Sequence, residues 1–195
     1  MPARLARRAL LFGAGSACVL PWSVGAAADK LNISGGRGSI DFAIGDSRVF
    51  RTTGSFKDWQ GFLRVDDQDI PRSAVQVVVH TKSVQMLDTQ QTAMMRDADF
   101  FDVEKFPEMT FKSNAVERTG ETTLKVTGDV TLRGITRPMV LTVSVTDRRP
   151  DAPAGARYAR FRADGSIKRS EFGMTKFVDV VGDTVDITIR AEAWR

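Results

Sequence analysis

Three observations predict an all-β, antiparallel fold. Apolar residues recur with period two through most of the chain, turn-forming clusters separate these runs, and only one stretch has helical character. Strands are not interleaved with helices, so no parallel βαβ sheet is expected, and the architecture is a barrel or a sandwich. Alternation alone does not separate the two. A sandwich fills its interior from two facing sheets, whereas a closed eight-stranded barrel leaves room for one small ligand.

The first segment is expected to lie outside the fold. Arg4, Arg7 and Arg8 precede an apolar run from Ala9 to Val24, and Ala26-Ala27-Ala28 supplies small residues for cleavage, so 1–28 is an export signal removed before Asp29. Gly13, Gly15 and Pro21 interrupt the run and speak against a transmembrane anchor. Arg7-Arg8-Ala9-Leu10-Leu11 fits a twin-arginine signal except at Ala6, where Ser or Thr is usual; Sec and twin-arginine export both stay open. Cys18 lies in this segment, and Gly15 is a poor match to the Leu expected before a lipidated cysteine. Residues 29–195 then hold no cysteine, which excludes disulfides and thiolate metal sites. The whole chain has 28 Lys plus Arg against 24 acids; without the three arginines of the signal the balance is 25 to 24. A near-neutral domain lacks the basic excess of a nucleic-acid binder.

The remaining length suits one domain. Ile40, Phe42 and Ile44 form the first clear alternating run; Val75, Val77 and Val79 form another. Leu124, Val126 and Val130 share parity, Met139, Leu141, Val143 and Val145 repeat it, and Val185, Ile187 and Ile189 close the series. Turns are predicted at Gly45-Asp46, Asp66-Asp67, Arg118 to Glu121 and Val181-Gly182-Asp183, and a long connection from Arg148 to Gly155. Between Asp88 and Asp97, Thr89 to Arg96 suits a short helix with Asp88 as its N-cap.

The segment Met95-Arg96-Asp97-Ala98-Asp99-Phe100-Phe101-Asp102-Val103-Glu104-Lys105-Phe106-Pro107-Glu108-Met109-Thr110-Phe111 is not required by any packing rule for a generic β-protein. With Gly128-Asp129-Val130-Thr131-Leu132-Arg133-Gly134-Ile135-Thr136-Arg137-Pro138 it resembles the YceI family, lipocalin-like bacterial proteins that hold long apolar molecules, typically polyisoprenoids. The resemblance extends to Gly54-Ser55-Phe56-Lys57-Asp58-Trp59-Gln60-Gly61, to Ile167-Lys168-Arg169-Ser170-Glu171-Phe172-Gly173-Met174 and to Val181-Gly182-Asp183, so it covers essentially all of 29–195. It implies an antiparallel eight-stranded lipocalin-like barrel with one short helix. One departure stands out: where family members commonly carry histidines around the first strand, this chain has Arg37 and Asp46. Arginine only donates and a carboxylate only accepts, so a role that needs imidazole does not transfer.

Other chemistry is weakly signalled. His80 is the only histidine, without cysteine or histidine partners for a metal. No serine lies in a nucleophile elbow. Asp97, Asp99, Asp102, Glu104 and Glu108 suit side-chain capping of a helix end and a turn better than acid–base work, and their spacing is not that of an EF-hand. Phe100, Phe101, Phe106 and Phe111 with Met86, Met94, Met95 and Met109 form either a barrel plug or a ligand gate. Arg169 either pairs with a nearby acid or meets a ligand head group.

The resulting expectation is a periplasmic binding protein, not an enzyme, that holds a long-chain isoprenoid or acyl molecule without a cofactor, a nucleic-acid partner or a stable membrane span; a homodimer is left open. Ile40, Phe42, Ile44, Val77, Val79, Phe111, Val126, Met139, Leu141 and Phe161 are the expected tail-lining set, Phe101, Phe172 and Met174 the closure, and Arg37 and Arg169 the head-group contacts. Sequestration of toxic lipophiles, a lipid-acting enzyme using Arg37, Asp46 or His80, and a protein-interaction module using a sheet edge or the loop after Arg148 are the alternatives.

Overall fold

The computed structural model describes residues 29–45 and 51–195. The expected signal, Cys18 and Asp46 lie outside them. Among the described residues eleven strands form one antiparallel sheet. They are β1 (Asp29–Ser34), β2 (Gly38–Ile44), β3 (Thr52–Phe56), β4 (Trp59–Val65), β5 (Ala74–His80), β6 (Val84–Met86), β7 (Glu108–Arg118), β8 (Thr123–Leu132), β9 (Ile135–Arg148), β10 (Arg157–Lys168) and β11 (Thr184–Trp194). Six of them form three bent staves, β1/β2, β3/β4 and β5/β6, so the sheet has eight staves in up-and-down order. It closes at β11, which pairs with β10 from Lys168↔Thr184 to Arg157↔Trp194. On its other side β11 pairs with β2 from Val185↔Ile44 to Ala191↔Gly38, and with β1 at Asn32↔Trp194. The expected eight-stranded barrel is therefore present. A second helix, α2 (Val178–Val181), accompanies the expected α1 (Thr89–Arg96). As expected, the Asp88 side chain caps α1, accepting from the Gln91 N–H at 2.9 Å.

The three bends lie side by side. β1 and β2 are joined by a 3-10 turn at Gly35–Arg37, β3 and β4 through Lys57 and Asp58, and β5 and β6 by a 3-10 turn at Thr81–Ser83. Bending frees ladder groups, which must find other partners. The His80 N–H donates to the Asp58 carbonyl at 3.0 Å, and the Ser83 hydroxyl donates to the His80 carbonyl at 2.7 Å. Trp59 is buried beneath the bends. Gly35 is required by close approach: a Cβ there would lie 2.3 Å from the Lys57 carbonyl oxygen and 3.3 Å from the Trp59 ring.

Two ends result. The rim end carries the connections 66–73, 119–122 and 149–156; the other carries α1, the segment 97–107, the β8–β9 turn at Arg133 and Gly134, the 3-10 turn Arg169–Phe172, and α2. Every family-like motif has residues at this second end, the one around Trp59 through Gly54 and Phe56.

Because the atom opposing a Gly35 Cβ is main chain, it cannot swing aside. Gly35→Ala is expected to lower stability by about 2 kcal/mol. Urea unfolding checks this, through a lower midpoint at unchanged slope.

Candidate ligand cavity

Alternation turns the apolar face of every stave inward, and a β-bulge shifts the parity of β7 between Ser113 and Ala115, so that both Phe111 and Val116 face in. A closed eight-stave barrel is wider than these side chains fill. A cavity of about 420 Å³ runs through the rim-side part of the barrel, and a second of about 200 Å³ lies toward the α1/α2 end. They share Ile40, Met109, Leu132, Ile167 and Ile187, so they follow one another along the barrel. Several inward-facing residues of the larger cavity, including Val77, Phe111, Phe161, Ile187 and Ile189, are only partly buried. In a packed core such positions would be shut off from solvent.

The larger cavity is lined by Ile40, Val77, Val79, Phe111, Val126, Met139, Leu141 and Phe161 of the expected set. Phe42, Ile44, Phe101, Met174 and Arg169 line the smaller one. Phe172 lines neither; it is fully buried behind the wall. The expectation for Arg37 is corrected. The 3-10 turn at Gly35–Arg37 carries it to the outer surface, where its guanidinium stacks 4.8 Å from the Trp194 ring and donates to the Gly155 carbonyl at 3.4 Å. His80 also lines neither cavity and sits 3.7 Å from Glu108 at the end of β5. Among the described residues no group of His, Cys, Asp and Glu is placed to hold a metal, and no helix is long and apolar enough to cross a membrane.

Charges of both signs pair at the rim. Arg148 pairs with Asp67, which also accepts from the Tyr158 hydroxyl at 3.1 Å, and Arg157 bonds Asp147. Sequence reasoning misses this rim, because its members come from the 66–73 connection and from the ends of β9 and β10.

At the other end, Phe101 inserts between Phe42 and Phe56, with ring centroids 6.4 and 5.3 Å away. Gly54 makes room for this cluster, since a Cβ there would lie 2.3 Å from the Phe42 ring. The side-chain capping expected of Asp97 and Asp102 in the 97–106 turn is corrected: main-chain bonds hold it instead. The Asp97 carbonyl accepts from the Phe100 and Asp102 N–H groups, and the Asp102 carbonyl from those of Lys105 and Phe106. Arg133 ties the two longest motifs together. It stands at positive φ in the β8–β9 turn and donates to the carbonyls of Ala98, at 2.7 Å, and Phe100. No local pattern predicts that bond, which spans more than thirty positions.

The last motif folds on itself. Arg169 is the one charged side chain buried among the described residues. Its Nε donates to the Gly182 carbonyl at 2.9 Å, and its Nη1 to those of Lys176 at 2.7 Å and Met174 at 3.3 Å; Nη2 has no partner. The expected pairing with an acid is thus replaced by carbonyls. Burial pushes the guanidinium below its ordinary pKa, partly opposed by the charge of Asp183. Asp183 itself accepts from the Ser170 N–H at 2.9 Å and its hydroxyl at 2.7 Å. Burial alone would raise this carboxyl, but these bonds and the nearby Arg169 and Lys168 outweigh it and hold it below the usual range.

Residues 31–193 match the family model of the YceI-like domain. A protein YceI from Escherichia coli O6:H1 is 32% identical over 183 residues, which cover 94% of this chain and 91% of the relative. One from Salmonella newport matches to the same extent. Among solved structures, Burkholderia cenocepacia BcnA has a TM-score of 0.68 at 24% identity, covering 80% of this chain and 95% of that one. A polyisoprenoid binding domain from Saccharophagus degradans, implicated in plant cell wall breakdown, has a TM-score of 0.64 at 14% identity, covering 86% and 98%. These two show the shared fold.

Two predictions concern the end that carries α1 and α2. Replacing Arg133 with Met removes the bonds to Ala98 and Phe100, and is expected to cost about 2 kcal/mol. Hydrogen exchange should quicken in 97–106 more than in β10 and β11. The Asp183 carboxyl is depressed in the folded state. Its contribution is therefore present above the ordinary carboxylate pKa and is lost as pH falls through the folded value. Asp183→Asn is expected to lower stability by about 1 kcal/mol at pH 7, after allowance for solvent screening, and by progressively less below about pH 4. Paired urea titrations across that range check it.

Proposed function

This chain belongs to the YceI family, and from that premise we propose that it is an exported carrier that holds one long-chain amphiphile, a polyisoprenoid, an isoprenoid quinone or a related acyl lipid, inside its barrel. The observation that carries the reading is the interior itself: an almost wholly apolar space of about 420 Å³, continued by one of about 200 Å³, in which inward side chains remain partly accessible. This volume falls within the range of small-molecule sites. The polyisoprenoid-binding neighbour of the same fold supports an isoprenoid tail.

Affinity comes from burial. Each CH₂ removed from water contributes about 0.8 kcal/mol, so a long tail needs few polar contacts. Selectivity comes from the length and shape of the cavity. The methionines at the inner chamber, Met86, Met94, Met95, Met109 and Met174, adapt to tails of different shape. The basic, interrupted apolar stretch before Asp29 supports export to the periplasm, with cleavage near Ala28. Arg37 faces outward and His80 lies off both cavities, so neither supports a reaction on a bound lipid.

Filling the cavity tests the reading. Val77 faces the larger cavity and is partly accessible. Val77→Trp should weaken binding of a fluorescent polyene fatty acid at least tenfold, while the thermal midpoint holds or rises. Unchanged binding in a folded variant would place the lipid elsewhere.

A further inference from the structure

The smaller chamber differs from the larger in charge. Among the described residues its wall is apolar except for Thr52, Gln91, Arg169 and Lys176, so both of the ionisable residues described there are cations. Lys176 is exposed and paired with Asp99 at the surface. Arg169 is 3% exposed and bonds only main-chain carbonyls, and its Nη2 is a buried donor without an acceptor. Asp183 spends its carboxylate oxygens on Ser170 rather than on the guanidinium. A buried, unsatisfied donor on a cation is costly, and an oxygen anion is the group that relieves it best. The rim of the larger cavity, by contrast, carries both signs, with Asp67, Glu121 and Asp147 beside Arg64, Arg118 and Arg148.

Resting on the carrier reading, we infer that the chamber between α1 and α2 is the head-group site, that it takes an anionic oxygen head (a carboxylate or phosphate) at Arg169, and that the tail extends toward the rim. Arg169 is then the specificity-determining residue. Lys176 adds field at the chamber wall, and the larger cavity measures tail length. Amphiphiles with ammonium heads are disfavoured, because both ionisable residues that line the chamber among the described residues are cations.

Four probes with one C18:1 tail test this in displacement titrations: oleate, oleyl phosphate, oleyl alcohol and oleylamine. The two anions should bind at least tenfold tighter than the alcohol, and the amine weakest. The relative strength of carboxylate and phosphate separates the two sources. Equal binding of all four would overturn the head-group site while leaving the carrier reading intact; binding of none would overturn the carrier reading itself. Arg169→Gln should bring oleate down to the affinity of oleyl alcohol, and an undiminished preference for oleate would overturn the assignment.

Arg169 also supports its own turn, so orientation is read independently in the wild type with spin-labelled stearates. A label at carbon 5 should broaden the methyl signals of Met94, Met95 and Met174, and one at carbon 16 those of Val75 and Val143. The reverse pattern would overturn the inference.

Discussion

Closure of the sheet at β11 is the constraint on which the rest depends. This strand bonds β10 along one edge and β2 and β1 along the other, so the sheet has no two faces to press together. The width is then set by eight staves rather than by the size of the side chains. Apolar residues still point inward, as the hydrophobic effect demands, but they line a space instead of filling it. The cavity is a geometric consequence of closure, not an extra feature built upon it.

A hollow barrel must still be sealed, and the chain concentrates its packing at one end. Phe101 meets Phe42 and Phe56 there, and Gly54 is small so that the rings fit. Arg133 reaches from a distant turn to fix the loop bearing Phe100, and Asp183 and Arg169 fix the turn before α2. The three bends around Trp59 leave few main-chain groups unpaired, because Asp58, His80 and Ser83 exchange the freed bonds. The segments that look least generic in sequence therefore pack together at one end of the barrel.

Much of this is visible in the sequence. Period-two runs identify the inward faces, and eight of the ten residues expected to line a tail face the larger cavity, with Phe42 and Ile44 in the smaller. Asp88 marks the start of α1 as a cap should. What alternation does not reveal is whether an inward face is packed or empty, since both produce the same pattern; only closure decides. Nor does it show the direction of Arg37, because the residue sits on a bend where strand parity is lost. Arg169 is legible as important but not in its role, because its partners are carbonyls, which carry no side-chain signature.

If closure leaves the interior hollow for a purpose, a lipid occupies it in the working protein. Native mass spectrometry of protein purified from its own host, followed by solvent extraction of the bound species, decides the matter. One amphiphile per chain, with a long prenyl or acyl tail, is the expected result. A chain that is empty as isolated and fails to take up such lipids when they are supplied would contradict it.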